Sequence, residues 1–313
     1  MGEIRRGAAG EAVVVVPGRT KRSNDFSTGP SERQAQCPFC PGHEAETPPE
    51  VFALRSDGSA ADARGWSVRV VPNRYAALAR DDGEAYGAHE VIIETPDHAK
   101  SLGDLDRDEA ANVVRAWMDR LRSASADDGL AYALIFKNHG ERAGASREHT
   151  HSQLLALPFL PKKPAEELAA FQSGEFGREL ARDQNNPTLL VRRGERVAAF
   201  APRAGRFPSE TWIAPRVPAP RFEEIDEETV GELAELLPAL LRALPRAHGE
   251  PAYHVLVHTA PFRAEGAERY CWRIELCARI NRVAGGELAS GVFLNQIPPE
   301  DGARLLREAL DED

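Results

Sequence analysis

Residues 147–161 read REHTHSQLLALPFLP, with His149, His151 and Gln153 on alternate positions ahead of an apolar run closed by prolines. Side chains at i, i+2 and i+4 of a β-strand share one face. Three ligand-capable groups therefore line up on one side of a strand, which Leu154, Leu155, Ala156 and Leu157 carry into a core. A polar edge strand with incidental histidines fits this stretch equally well, so the surrounding chain has to decide.

Upstream, GWSVRVVPNRYAAL and HEVIIETP have strand composition and end in Pro or Asn turn signals. LDRDEAANVVRAWMDRLRSAS places Leu105, Val113, Val114, Trp117 and Leu121 on one helical face, with Asp106 as N-cap. AYALIFKN is a strand, NHGERAGAS a glycine-containing loop, and THSQLLAL the strand of the opening motif. The second half repeats that order with RVAAFAPRAGR, SETWIAPR, a helix over IDEETVGELAELLPALLRAL kinked at Pro238, YHVLVHTAP and YCWRIELCAR. Leu105-Asp106 against Ile225-Asp226, Tyr132 against Tyr253 and His149 against Cys271 give offsets of 120, 121 and 122 residues. So constant an offset predicts an internal duplication, with its boundary near LPFLPKKPAEE. The halves are unequal, because His149, His151 and Gln153 face Cys271, Arg273 and Glu275. If the alternating motif carries chemistry, only the first half performs it.

At 313 residues the chain buries about 75% of its unfolded surface and needs no disulfide staples. Hydrophobic residues at 42% and charged residues at 28% are ordinary for a globular protein. A net charge of −10 argues against a general nucleic-acid binder, while leaving room for a small anionic substrate held by local arginines. MGEIRRGAAGEAVVVVPG holds only a four-valine run, too short for a signal core or a membrane span, and a cytoplasmic location is expected.

Cys37 and Cys40 in CPFCPGHE have the C-x-x-C spacing that grips a tetrahedral metal through two thiolates. No second such pair follows, so His43, His89, His98, His139 and His149 are the candidate completing ligands. A site built from Cys37, Cys40, His98 and His149 would bind zinc and tie the N-terminal arm to the strand. In NHGERAGASREH, the backbone N–H groups of Gly144 and Ala145 and the Ser146 hydroxyl offer an anion cradle.

CPFC, then PDH, then a Gly-Ala-Ser loop before H-x-H-x-Q together resemble the galactose-1-phosphate uridylyltransferase family of the histidine-triad superfamily. HTHSQLLALP and HEVIIETPDH look most like its ADP-glucose phosphorylase branch, and RIELCARINRVAGGELASG and FLNQIPPED resemble its C-terminal half. The resemblance implies an α+β fold of two tandem histidine-triad-like domains, each an antiparallel sheet with a packed helix. The catalytic domain would span residues 1–165, and a degenerate acceptor-side domain residues 166–313. It implies a ping-pong nucleotidyl transfer with His151 as nucleophile, Gln153 donating to a phosphoryl oxygen, and zinc on Cys37, Cys40, His98 and His149.

By matching position, Asn73 and Asn138 would contact nucleoside and phosphates, and Arg22 a phosphate, with Arg19 or Lys21 as substitutes because KRS replaces the usual KRP. Glu287 aligns with a sugar-recognising glutamate, although Gly286 replaces the aromatic usually beside it. Arg273 could bind the acceptor phosphate or form a salt bridge, for example to Glu275. A second metal is not expected. The implied partners are a nucleotide sugar with a hexose 1-phosphate or phosphate, in a homodimer and without nucleic acid or membrane. A phosphorylase or hydrolase sharing the covalent intermediate, and a zinc-stabilised nucleotide-binding protein without turnover, are the alternative readings.

Overall fold

The computed structural model describes residues 3–6, 12–16, 37–81, 83 and 85–312. Strands β1 (Glu3–Arg6) and β2 (Ala12–Val15) form a two-stranded ribbon. The first half continues with β3 (Phe52–Arg55), β4 (Trp66–Pro72), β5 (Ala88–Ile93), α1 (Arg107–Ser125), β6 (Tyr132–His139) and β7 (His151–Leu157). Helices α2 (Lys162–Gln172) and α3 (Glu175–Gln184) lead into the second half. There follow β8 (Leu190–Arg193), β9 (Val197–Phe200), β10 (Thr211–Pro215), α4 (Glu227–His248), β11 (Tyr253–His258) and β12 (Arg273–Ala278). Short α5 (Gly285–Ser290) and α6 (Pro299–Asp311) end the described chain.

Ten strands build one antiparallel sheet in the order β3-β4-β5-β7-β6-β11-β12-β10-β9-β8. Each half supplies five neighbours, and β6 pairs with β11 from His139↔Tyr253 to Leu134↔His258. The halves are thus continuous through backbone hydrogen bonds.

The helices form where their caps and apolar faces dictate. Asp106 accepts from the Glu109 N–H while Glu109 reaches back to the Asp106 N–H, so both ends of a capping box are made. Asp226 caps α4 through the Thr229 N–H. The latter helix runs on through Pro238 and Pro245 to His248. Trp117 and Leu121 of α1 and Leu237 and Leu241 of α4 share one core with Ile92, Ile135, Val257 and Ile274 of the sheet. That core covers one sheet face; the β7 motif lies on the opposite face, which carries smaller apolar clusters of its own.

The facing of side chains corrects one duplicated pair. Tyr132 clusters with Leu78 and Leu157 on the polar side, whereas Tyr253 belongs to the helix-facing core. Adjacent residues of a strand point oppositely, so β11 matches β6 at an offset of 120 rather than 121.

Candidate active site and metal centre

The CPFC turn is folded by Cys40 and His43 N–H groups donating to the Cys37 and Cys40 carbonyls. Its arm is pinned to β4 by Arg69, which donates to Glu50 at 3.0 Å, Thr47 at 2.8 Å and Asp62 at 2.7 Å, and by Trp66, which donates to Glu44 at 3.0 Å. This clamp carries the thiols to the end of β7. His149 Nδ1 lies 3.6 Å from both Cys37 Sγ and Cys40 Sγ, and His98 Nδ1 lies 3.3 Å from Cys40 Sγ. All four ligand atoms lie within 4.8 Å of one another, so the group can hold a metal ion.

His149 is fully buried, and its Nε2 sits 2.8 Å from the Thr95 carbonyl. Nε2 therefore carries the proton and Nδ1 presents its lone pair to the thiols, the usual outer-shell arrangement of a metal-binding histidine. Burial pushes the imidazole pKa down to about 4, which keeps it neutral and ligand-competent. Of the other candidates, His43 bonds the Cys37 carbonyl, His89 lies against Gln153, and His139 stacks on Tyr253.

Two residues on, His151 Nδ1 lies 2.8 Å from the His149 carbonyl. A carbonyl only accepts, so Nδ1 is protonated, and in the neutral ring the lone pair is on Nε2. Gln153, on the same face of β7, accepts at Oε1 from His89 Nε2 at 2.9 Å and Asn73 Nδ2 at 3.3 Å. The Phe39 ring, from inside CPFC, sits edge-on 5.4 Å from His151. Beneath the motif, Lys137 Nζ donates to Glu94 at 2.6 Å, Thr150 Oγ1 at 2.7 Å and the His151 carbonyl at 3.2 Å. Burial pulls the ammonium pKa down and adjacent Glu94 pushes it back up.

His151 and Gln153 open into a cleft lined also by Phe39, Pro48, Asn73, Arg74, Tyr75, Ser146 and Arg147, with about 640 Å³ of empty volume. Asn138 borders a neighbouring hollow shared with Arg147 and His151, and its Oδ1 accepts from His254. Thus Asn73, Ser146, His151 and Gln153 share one cleft, with Asn138 at its margin.

Other expected contacts are not formed. The Gly144 and Ala145 N–H groups donate to the Glu141 and Gly140 carbonyls, because left-handed Gly144 (φ 79°) closes a 3₁₀ turn. The backbone cradle therefore turns inward, and Ser146 is the member that reaches the cleft. Arg273 takes the salt-bridge alternative. Its guanidinium is 1% exposed and donates to Glu167 at 2.9 Å, Glu275 at 2.9 Å and Tyr270 at 3.2 Å. With its donors so engaged and no opening to the cleft, it is not an acceptor-phosphate ligand. Glu287 accepts from the Ala284 and Leu294 N–H groups, at 2.7 and 3.0 Å, and holds the α5 loop. Arg22, with Arg19 and Lys21, lies outside the described residues.

Phe39, Arg147 and Lys137 were not assigned site roles by the sequence, and His89 was named only among the candidate metal ligands. Lys137 had a readable signal: a lone cation inside the apolar strand AYALIFKN, which burial would oblige to pair.

His151 Nε2 and the Gln153 amide therefore meet in one cleft, on a strand tied to a Cys/His group, an arrangement suited to nucleophilic group transfer. The chain belongs to the galactose-1-phosphate uridylyltransferase family. Residues 7–161 match galactose-1-phosphate uridyl transferase, N-terminal domain. The galactose-1-phosphate uridylyltransferase of Streptomyces lividans is 30% identical, over 88% of this chain and 79% of that one. ADP-glucose phosphorylase of Arabidopsis thaliana is 29% identical, over 95% of this chain and 89% of its own. A solved uridylyltransferase superposes with a TM-score of 0.83 at 28% identity, covering 100% of this chain and 99% of that one.

Proposed function

We propose that this enzyme moves a nucleoside monophosphate from a nucleotide sugar to a hexose 1-phosphate through a covalent nucleotidyl-His151 intermediate. The observation that carries the reading is the 2.8 Å contact from His151 Nδ1 to the His149 carbonyl. It fixes the tautomer in which Nε2 offers its lone pair without a separate base. Nε2 attacks the α-phosphorus; the N–P bond forms as the bond to the bridging oxygen breaks, and the electron pair leaves with the sugar 1-phosphate. A phosphate oxygen of the second hexose 1-phosphate then attacks the same phosphorus and returns the pair to Nε2. The Gln153 amide donates to a non-bridging phosphoryl oxygen, where transition-state charge gathers. Asn73, Ser146 and Asn138 contact nucleoside and phosphates.

The two thiols and two imidazoles suit zinc. Their S···N separations of 3.3–3.6 Å approach the ~3.6 Å edge of a tetrahedron with ligand distances near 2.0–2.3 Å. Cys37, Cys40, His98 and His149 would hold the zinc, and a metal bound there would supply folding energy and fix the strand that carries His151. Residues 1–165 carry catalysis and residues 166–313 the acceptor side, in a cytoplasmic enzyme. Among the described residues, no helix is long and apolar enough to cross a membrane. Exposed Leu288, Val292 and Leu294, 63–77% accessible, support a homodimer through the α5 segment. ADP-glucose phosphorylase, similar over 95% of the chain, supports a second reading with phosphate as acceptor.

Intact-mass measurement after mixing the protein with a panel of nucleotide sugars tests the proposal. One nucleoside monophosphate should add to the wild-type chain and none to His151→Asn. An adduct on the Asn variant refutes the nucleophile. Adding hexose 1-phosphates or phosphate to the adduct then distinguishes the acceptors.

A further inference from the structure

We infer that His89 is a positioning residue that sets which end of the Gln153 amide faces the reacting phosphate. This rests on the proposed role of Gln153. His89 is 5% exposed on β5, and Leu155 of β7 is its cross-strand neighbour. The Ala77 backbone N–H donates to His89 Nδ1 at 3.1 Å. A backbone N–H cannot accept, so Nδ1 is unprotonated and the neutral ring carries its proton on Nε2. That proton points at Gln153 Oε1, 2.9 Å away.

Asn73 closes the arrangement. Its Oδ1 accepts from the Tyr75 N–H at 2.9 Å, which fixes its own amide and turns Nδ2 toward Gln153 Oε1 at 3.3 Å. The 3.1 Å approach of Asn73 Nδ2 to His89 Nε2 is then two donors converging on one acceptor. Gln153 Oε1 has two lone pairs and receives two hydrogens, so the amide cannot reverse without setting NH₂ against two donors. The Gln153 NH₂ is thereby committed to the cleft it shares with His151. Because the same His89 ring receives the Ala77 N–H and its carbonyl accepts the Asn73 N–H at 2.8 Å, the 73–77 loop and the catalytic amide are set by one residue.

The two ring nitrogens can be separated by substitution. In His89→Asn the side-chain oxygen can take the place of Nδ1 and keep the Ala77 contact, but nothing reaches Gln153. In His89→Gln the amide NH₂ can stand in for Nε2–H. The rate of adduct formation in a single turnover, the nucleotide Kd and the bound-metal content are measured for each. His89→Asn should slow adduct formation on the order of 10–100-fold, less than the roughly 10²–10³-fold loss when an oxyanion donor is removed outright. Its Kd and metal content should stay within about two-fold. His89→Gln should recover most of the rate, and His89→Asn should add nothing further in a Gln153→Ala background. Equal rates for wild type and His89→Asn, or Asn and Gln variants equally impaired, would overturn the inference. If wild type forms no adduct, the proposed covalent route through His151, on which the Gln153 role rests, fails instead.

Discussion

Replacing Lys137 by Met removes a buried charge and preserves roughly the volume of the side chain. Lys137 and Glu94 are 1% and 0% exposed, 2.6 Å apart, and Thr150, between the two motif histidines, bonds both. Met leaves the Glu94 carboxylate buried with only the Thr150 hydroxyl. Breaking one side of a buried pair costs about 3–5 kcal/mol, largely the stranded charge. For 313 residues the unfolding entropy is about 0.66 kcal/mol/K, so Tm should fall by about 5–8 °C. The double variant Lys137→Met/Glu94→Gln removes the stranded charge and keeps an acceptor for Thr150. It should regain at least half of the loss. Differential scanning calorimetry gives both numbers, and single-turnover adduct formation well below Tm reports on the motif. Since Lys137 also holds the His151 carbonyl, the rate should fall in the single variant even where it is fully folded. A double variant no more stable than the single would refute the argument, because the penalty would then not come from unpaired Glu94.

Cys40→Ala should leave less than one metal per chain by elemental analysis and lower Tm more than it lowers the rate of the metal-retaining fraction; a fully loaded Ala variant would exclude Cys40 as a ligand. Arg273→Met removes the cation shared by Glu167 and Glu275, leaving them Lys163 and Arg206, and should cost about 3–5 kcal/mol or less in calorimetry. Well below Tm it should change adduct formation and acceptor transfer alike, within about three-fold; selective loss of acceptor transfer would restore the phosphate-binding role. His139 and His254 are held by burial at a pKa of about 4, against 6.5 for the ordinary imidazole. Between pH 6.5 and 4 the unfolded chain binds protons that the native state refuses, so stability falls as pH falls, by up to about 1.4 kcal/mol per unit for each histidine. His254→Gln should flatten that slope in denaturant titrations; an unchanged slope would assign the loss elsewhere.

The strands around the motif were legible because their apolar runs end at turn residues, and α1 because Asp106 and Glu109 form its cap. The Cys/His group was legible because C-x-x-C leaves few completing ligands. Strands β3 and β8 and helices α2 and α3 were not: FALR and LVRR are four residues each, too short for a period. The inward turn of Gly144 and Ala145 depends on a backbone conformation that composition does not encode. Arg273 shows the limit most sharply. Alternation put it on the correct face, but whether a guanidinium meets substrate or carboxylate depends on what covers that face. The cover is α2, whose Glu167 lies 106 residues away in sequence.

Register then explains why the proposed chemistry is confined to one half. Gln153 is paired with Phe136 and Val91, and Glu275 with Leu256 and Trp212. They are equivalent positions on one sheet face, and two residues before each stand His151 and Arg273. In the first half that face opens into the cleft. In the second, Leu168 and Phe171 of α2 and Leu180 of α3 pack with Tyr270 and Cys271, while Phe176 and Trp212 flank the Arg273 guanidinium. A guanidinium stays protonated at any working pH and has no lone pair to give, so the second copy cannot form a phosphoramidate even if uncovered. The duplicated sheet should therefore take up one nucleotidyl group per chain at saturation, counted by intact mass. A second group on the wild-type chain, or one persisting in His151→Asn, would show that the halves are not divided in this way.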